Sequence, residues 1–280
     1  MLTPKLKDDT LLRDIHAARE ERESFHLWWL GQSGFLVQWQ DRHLLLDPYL
    51  SDSLTKKYAN TDLPHVRMTE LAIDPTRLDF IDVVTSSHNH TDHLDAETLV
   101  PLLRANPKLK LVIPEANRAF VAERLKIAPN LPIGLNDGES AEVAGFKITA
   151  VPAAHETIER DAAGRCTHLG YVVQCGAWSV YHSGDTVGDE EIIRQLRPLA
   201  ITVALLPING RRADRRVAGN LDTKEAAGFA KRIGAKLVIP CHYNMFTFNT
   251  ADPNDFARAA EAIAQPYKIL QCGERCGLSL

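Results

Sequence analysis

No stretch of this sequence comes near the roughly 20 consecutive apolar residues that a helix needs to cross a bilayer. The opening, MLTPKLKDDTLLRDIHAARE, has no apolar core of the kind a secretory leader carries, and it holds acids that a transit peptide avoids. Both absences predict a cytoplasmic protein with no membrane partner. Cysteine is sparse and odd in number. Cys166, Cys175, Cys241, Cys272 and Cys276 do not form a disulfide framework, which suits a reducing compartment. The last two, in CGERC, lack the spacing of a CxxC motif. An excess of one charge is missing as well: a net charge of −4 and a pI near 6.3 give no global attraction to nucleic acid. Nor is there a low-complexity linker or short repeat. Residues 1–280 therefore read as one domain, with a polar surface helix inside residues 1–24. A homo-oligomer is compatible with all of this.

Histidine, by contrast, is crowded. SSHNHTDH, residues 86–93, puts three of the eleven histidines within six positions, with an aspartate between two of them. The surrounding pattern shows where that stretch lies. Residues 5–23 predict a helix. From Phe25, the runs FHLWWLG, GFLVQWQ and HLLLDPYL are strand-like and punctuated by Gly31, Gly34 and Asp41-Arg42, a meander that opens a sheet. IDVVTSSH (81–88) is a buried-strand pattern running into the histidines, and LDAETLVPLLRAN follows as a helix. KLKLVIP predicts a strand and EANRAFVAERLKI a helix. ESAEVAGFKITAVPAAH gives two strands ending at His155, and GYVVQCGAWSVYHSGD a hairpin ending at Asp185. EEIIRQLRPL is a helix and ITVALLPIN a strand. TKEAAGFAKRIG is a helix opened by a capping box, Asp222 with Glu225. AKLVIPCHYN is a strand ending at His242, and NDFARAAEAIA the last helix. Strands followed by strand–helix alternation, twice over, fit an α/β protein: a four-layer αββα sandwich of two mixed β-sheets flanked by helices.

In extended chain, residues two apart face one side, so His88 and His90 can reach one ion, while Asp92 and His93, beyond a turn, address another. Imidazole and carboxylate donors suit zinc, manganese or iron. One loop cannot complete two coordination shells. His155, Asp185 and His242, each at the end of an apolar run, are the candidates for the rest.

HNHTDH resembles the HxHxDH signature of the metallo-β-lactamase superfamily, over about residues 25–265. The resemblance implies that His88, His90 and His155 hold one divalent metal ion. By the same resemblance Asp92, His93 and His242 hold a second, with Asp185 bridging the two and Asp47 supporting the histidine loop. Flavodiiron relatives carry glutamate where His90 stands, so the resemblance implies hydrolysis and not oxygen chemistry. SVYHSGDT, the segment NLDTKEAAGFAKRIGAKLVIPCHYNMFTFNTADPNDF and WWLGQSGFLV are similar to the branch that holds L-ascorbate-6-phosphate lactonase.

Two cations can activate a water for attack at a carbonyl or phosphoryl centre. Asp92 and Asp185 are then the catalytic carboxylates, with Asp92 orienting the nucleophile. Between Ile208 and Asn220, Arg211, Arg212, Arg215 and Arg216 lie within six positions. Guanidinium forks match phosphate oxygens, so Arg211 and Arg212 are read as substrate-binding. Tyr243 and Asn244, next to His242, are expected to donate hydrogen bonds to the substrate. The function expected is hydrolysis of a small anionic, phosphorylated ester or lactone. A phosphodiesterase or nuclease of the same fold is the alternative, which the net acidity disfavours, and a non-catalytic metal-binding protein a third. Segments 51–76 and 156–168 are irregular and placed to cover the cleft. His16, His26, His43, His65 and His168 read as structural or exposed, and His182 as a support near the ligands.

Overall fold

The structure, a computed structural model, describes residues 1–279. The first sheet begins with a meander of β1 (Phe25–Gly31), β2 (Gly34–Trp39) and β3 (Arg42–Leu46). It continues through β4 (Val83–Thr85), β5 (Lys110–Pro114) and β6 (Ile133–Leu135). The second sheet takes β7 (Ser140–Val143), β8 (Phe146–Pro152), β9 (Leu169–Cys175), β10 (Trp178–His182), β11 (Val203–Pro207) and β12 (Leu237–Cys241). The last strand, β13 (Arg275–Leu278), returns to pair with β1. The sheet orders are β13-β1-β2-β3-β4-β5-β6 and β12-β11-β10-β9-β8-β7. Both are mixed. β3 to β6 run parallel, as do β10, β11 and β12, while the remaining neighbours are antiparallel.

The strands read as nearly continuous apolar runs because both faces of each sheet are covered. Alternation then sorts the side chains. In β1, Phe25, Leu27 and Trp29 face the second sheet, while Trp28 and Leu30 join the other core. In β3, Leu44 and Leu46 face inward and Leu45 outward. The outer face of the first sheet is covered by α1 (Asp8–Ala18), α3 (Ala96–Ala105) and α4 (Arg118–Leu125), the short α2 (Ser53–Tyr58) lying apart near the cleft. The second sheet carries α5 (Glu190–Leu196), α6 (Thr223–Ile233) and α7 (Pro253–Ala262). This is the expected α/β arrangement of two mixed sheets flanked by helices. Among the described residues no helix is long and apolar enough to cross a membrane.

The differences from the sequence reading have physical causes. The helix expected over 5–23 spans only Asp8–Ala18: Leu11, Ile15 and Ala18 dock on the sheet, while Lys7 before it is extended and the Lys5 amide donates to the Cys272 carbonyl. The strand expected over 81–88 stops at Thr85: the Ser86 amide still donates to the Val112 carbonyl of β5, but the Ser87 amide leaves the ladder for Asp47 Oδ1. The short strands β6 and β13 carry little apolar signal of their own; long-range pairing makes them strands. Residues 156–168 form a small hairpin, with bridges at His155–Thr157 and Arg160–Cys166. The capping box of α6 forms: the Asp222 side chain accepts from the Lys224 and Glu225 amides, and Glu225 accepts from the Asp222 amide.

What positions the site is a shared edge. Residues following β3, β4, β8, β10, β11 and β12 all emerge there, together with the β1–β2 turn. Cross-sheet bonds lock that edge: the Tyr171 hydroxyl donates to the Ser86 carbonyl (3.0 Å), and the His242 amide to the Gln32 carbonyl (2.9 Å).

Candidate metal centre

Each candidate ligand arrives by a tight local device. After β4 the chain makes a turn in which the His93 and Leu94 amides bond back to the His90 carbonyl. Asp95 then caps α3, its carboxylate accepting from the Glu97 amide and the Thr98 hydroxyl. Asp185 follows Gly184, whose φ of +59° and whose closeness to Ser87 (an added Cβ would lie 2.6 Å from it) leave no room for a side chain. The histidine loop and the Asp185 turn therefore touch backbone to side chain. Gln32, Asp47 and His242 are also left-handed, with φ of 51°, 39° and 62°. Non-glycine residues held in that region cluster at functional sites, where surrounding bonds fix them.

The structure brings seven side chains to one place. Ligand atoms of His88, His90, His155 and Asp185 lie within 4.8 Å of one another, as do those of Asp92, His93 and His242. Asp185 touches both sets: Oδ1 is 3.3 Å from His93 Nε2, and Oδ2 is 3.7 Å from His155 Nε2 and 3.5 Å from His242 Nε2. Asp92 Oδ2 is 3.7 Å from both His93 Nε2 and His242 Nε2.

Hydrogen bonds behind the rings settle which nitrogen faces the cleft. A carboxylate can only accept, so His93 Nδ1 donates to Asp47 Oδ2 at 2.7 Å. The Ser87 hydroxyl also donates to Asp47, which leaves its oxygen to accept from His88 Nδ1 at 3.0 Å. His155 Nδ1 donates to the Gly219 carbonyl at 2.9 Å. Three imidazoles are thus held with Nε2 pointing inward as the free donor atom, the arrangement that outer partners give to metal-binding histidines. Among the described residues His88 Nε2, His93 Nε2 and Asp185 Oδ1 are buried and have no hydrogen-bond partner. Unsatisfied buried polar atoms are costly, and three of them aimed at one volume fit a bound cation. The donor set is nitrogen and carboxylate oxygen, suited to a borderline or hard divalent ion.

Electrostatics agree. Burial disfavours charge on the His93 ring, but Asp185 and Asp92 outweigh it and hold the ring well above the ordinary histidine range. Burial likewise works against ionising Asp185, yet His93 and His242 hold its carboxyl well below the usual range. Positive charge is thus drawn to the space between these groups, where a metal ion competes with the proton. His88, buried and beside His93 and His90, is held well below the ordinary value and stays neutral, as a ligand must.

The cleft above these groups has a volume of about 370 Å³. His90, Asp92, His155, Asp185 and His242 open onto it. The proposed substrate-binding residues behave differently. Arg211 pairs with Glu225, and Arg212 with Asp214 at 2.7 Å; neither lines the cleft. Their acidic neighbours lie within local reach and claim them. Arg216 is the member of that run that reaches the cleft. Tyr243 is turned into the core, its hydroxyl donating to the Leu270 carbonyl and its ring 4.4 Å from that of Trp29. Asn244 serves the loop, its carbonyl accepting from Thr69 and its amide donating to Thr250 Oγ1 at 2.8 Å. Neither Tyr243 nor Asn244 lines the cleft.

One residue at the site went unremarked in the sequence and another was read only as structural or exposed. Gln32 is buried in the cleft floor and its Nε2 donates to Asp92 Oδ2 at 2.7 Å, fixing that carboxylate. The signal was present: the polar pair Gln32-Ser33 between Gly31 and Gly34, at a turn of a largely apolar meander. His168, read as structural, lies with its ring centroid 4.8 Å from that of His88, nearly parallel. Burial, together with neighbouring His155 and His90, pushes it down to about 4, so it is a neutral backing plate. Lone histidines give no such signal. His182 donates through Nε2 to the Ser33 carbonyl at 2.8 Å, bracing the turn that carries Gln32.

Comparison with known proteins adds the family. The profile described as "Beta-lactamase superfamily domain" matches residues 42–243. A "UPF0173 metal-dependent hydrolase" of Methanosarcina mazei is 32% identical over 241 residues, 84% of this chain and 90% of its own. Among solved structures, Igni18, a metallo hydrolase from Ignicoccus hospitalis, has a TM-score of 0.67 at 24% identity, covering 92% of this chain and 99% of its own. An isothiocyanate hydrolase from Delia radicum gut bacteria has a TM-score of 0.72 at 19% identity, covering 91% and 100%. These two structural likenesses speak for the fold.

Proposed function

The chain belongs to the UPF0173 metal-dependent hydrolases of the metallo-β-lactamase superfamily, and from that premise we propose that it hydrolyses a small anionic ester or lactone at a dinuclear centre. His88, His90 and His155 would hold one divalent ion and Asp92, His93 and His242 the other, with Asp185 shared. Zinc or manganese fits the donors, and iron is the next choice. Bound there, such ions supply activated solvent and polarise the oxygen of the scissile group.

The protein's own residues do the rest. Gln32 holds Asp92 Oδ2, so the carboxylate is oriented before solvent arrives, and its other oxygen can accept a proton from the attacking water. Asp47 holds His93 in the tautomer that turns Nε2 inward. Lys57 and Arg216 line the cleft and attract an anion. A volume of about 370 Å³ suits a small molecule better than a polymer. The observation that carries the reading is the convergence of buried His88 Nε2, His93 Nε2 and Asp185 Oδ1, none of which makes a hydrogen bond among the described residues.

The test is a hydrolysis screen on protein of measured metal content, using phosphorylated and carboxylated lactones and esters against phosphodiesters. Lactone or ester cleavage that stops on chelation and returns with added metal supports the reading. Cleavage of phosphodiesters alone overturns the substrate class.

A further inference from the structure

The cleft has two unlike walls, and holding cations explains neither. One wall is aromatic. The Tyr58 ring lies over His65 at 4.1 Å and 13° between planes. His65 meets Phe248 at 4.3 Å and Phe246 at 5.3 Å, and all four line the cleft. A small apolar cluster of their own backs them, separate from the two cores. Tyr58 and Phe248 stay half-buried, leaving ring surface open to the cleft. Burial pushes the His65 imidazole below its ordinary value, so it adds a neutral ring to the wall. This wall lines the same cleft as His90, Asp92, His155, Asp185 and His242, which places it beside the reacting centre.

The other wall is cationic. Lys57 has no carboxylate partner among the described residues, and its Nζ sits 5.1 Å from the Tyr58 ring centroid, so cation and aromatic face adjoin. Arg216 pairs with Asp62 at 2.9 Å, both side chains largely exposed. An exposed pair of this kind is held weakly and is readily exchanged for another anion.

Resting on the hydrolase reading above, we propose that the substrate is amphiphilic: an ester or lactone bearing an aryl or compact alkyl arm that lies on Tyr58 and Phe248, and one anionic group that meets Lys57 and Arg216. Apolar ring surface at the mouth of a polar site is stabilised when a ligand covers it, and an adjacent cation selects a ligand carrying charge next to that arm. The reaction balances with water alone. The acyl C–O bond breaks, a C–O bond to the water oxygen forms, and one water proton passes to the leaving oxygen, giving an acid and an alcohol.

Product-like acids test this without turnover. Calorimetry on metal-loaded protein compares propionate, 3-phenylpropionate and phenylsuccinate, which add first a ring and then a second carboxylate. Each addition is expected to tighten binding by about tenfold. Phe248→Ala and, separately, Tyr58→Ala should erase most of the first gain, and Lys57→Gln with Arg216→Gln most of the second. Equal binding of propionate and 3-phenylpropionate overturns the proposal, as does an equal loss for both acids in the aromatic variants. If the graded binding holds while no ester or lactone is cleaved, the hydrolase substrate reading fails and this assignment of the cleft stands.

Discussion

Two loops of this chain concentrate charge at the same edge of the sandwich, and their side chains do opposite things. In residues 86–93 they converge: His88, His90, Asp92 and His93 turn donor atoms toward a common volume. In residues 208–220 they disperse. Arg211 goes to Glu225 and Arg212 to Asp214, while Arg215 turns inward onto the Asn209 and Thr250 carbonyls and Asn249 Oδ1. The difference lies in what stands behind each loop. Asp47 and Ser87 each occupy one nitrogen of a loop histidine, His93 and His88, and leave the other free. An arginine with five donors and acceptors close by spends them locally. A run of charged residues becomes a site where buried partners fix all but one atom of each side chain.

That contrast can be broken most sharply at Asp185, whose carboxylate lies against both candidate ligand sets. Asp185→Asn should cost kcat/KM about three orders of magnitude and reduce bound metal, with secondary structure intact by circular dichroism. A variant that keeps full metal content and activity would remove the shared role. One layer back, Asp47→Ala removes the partner of His93 Nδ1 and should weaken metal affinity by about 10- to 100-fold, read by competition with a chelating dye. An unchanged affinity would mean that the bond orients nothing.

On the arginine side the effects are structural or small. Arg215→Ala leaves buried carbonyls without a donor and should lower stability by about 1–3 kcal/mol in urea titrations, whereas Arg212→Ala should shift neither the midpoint nor kcat/KM. A large loss of activity in Arg212→Ala would restore that residue to the cleft. A further effect, seen only at acid pH, concerns a histidine outside both loops. Burial, helped by Arg19 and His16, pushes His43 down to about 3 from 6.5. Its neutral form is favoured by folding, so its contribution is complete above about pH 6.5 and is lost progressively as pH falls toward 3. His43→Gln should flatten the acid side of the stability profile; an unchanged slope would contradict the burial argument.

The sequence carried much of this. Apolar runs broken by Gly31 and Gly34 and ending at His155, Asp185 and His242 were legible because strands buried on both faces leave long unmixed signatures. The candidate ligand residues stood out for the same reason, as polar side chains at the ends of apolar strands. Tyr243 and Asn244 misled because adjacency to His242 says nothing about direction. A left-handed turn at His242 sends the Tyr243 ring back into the core. Gln32 and the aromatic wall were hidden because their neighbours come from distant segments: Gln32 meets Asp92 across 60 positions, and Tyr58 shares its cluster with Phe248.

Anomalous diffraction from crystals grown with manganese or zinc is the most direct measurement. One peak should fall among His88, His90, His155 and Asp185, and another among Asp92, His93, His242 and the same Asp185. Full metal loading with density elsewhere on the molecule, and none between those side chains, would contradict the account.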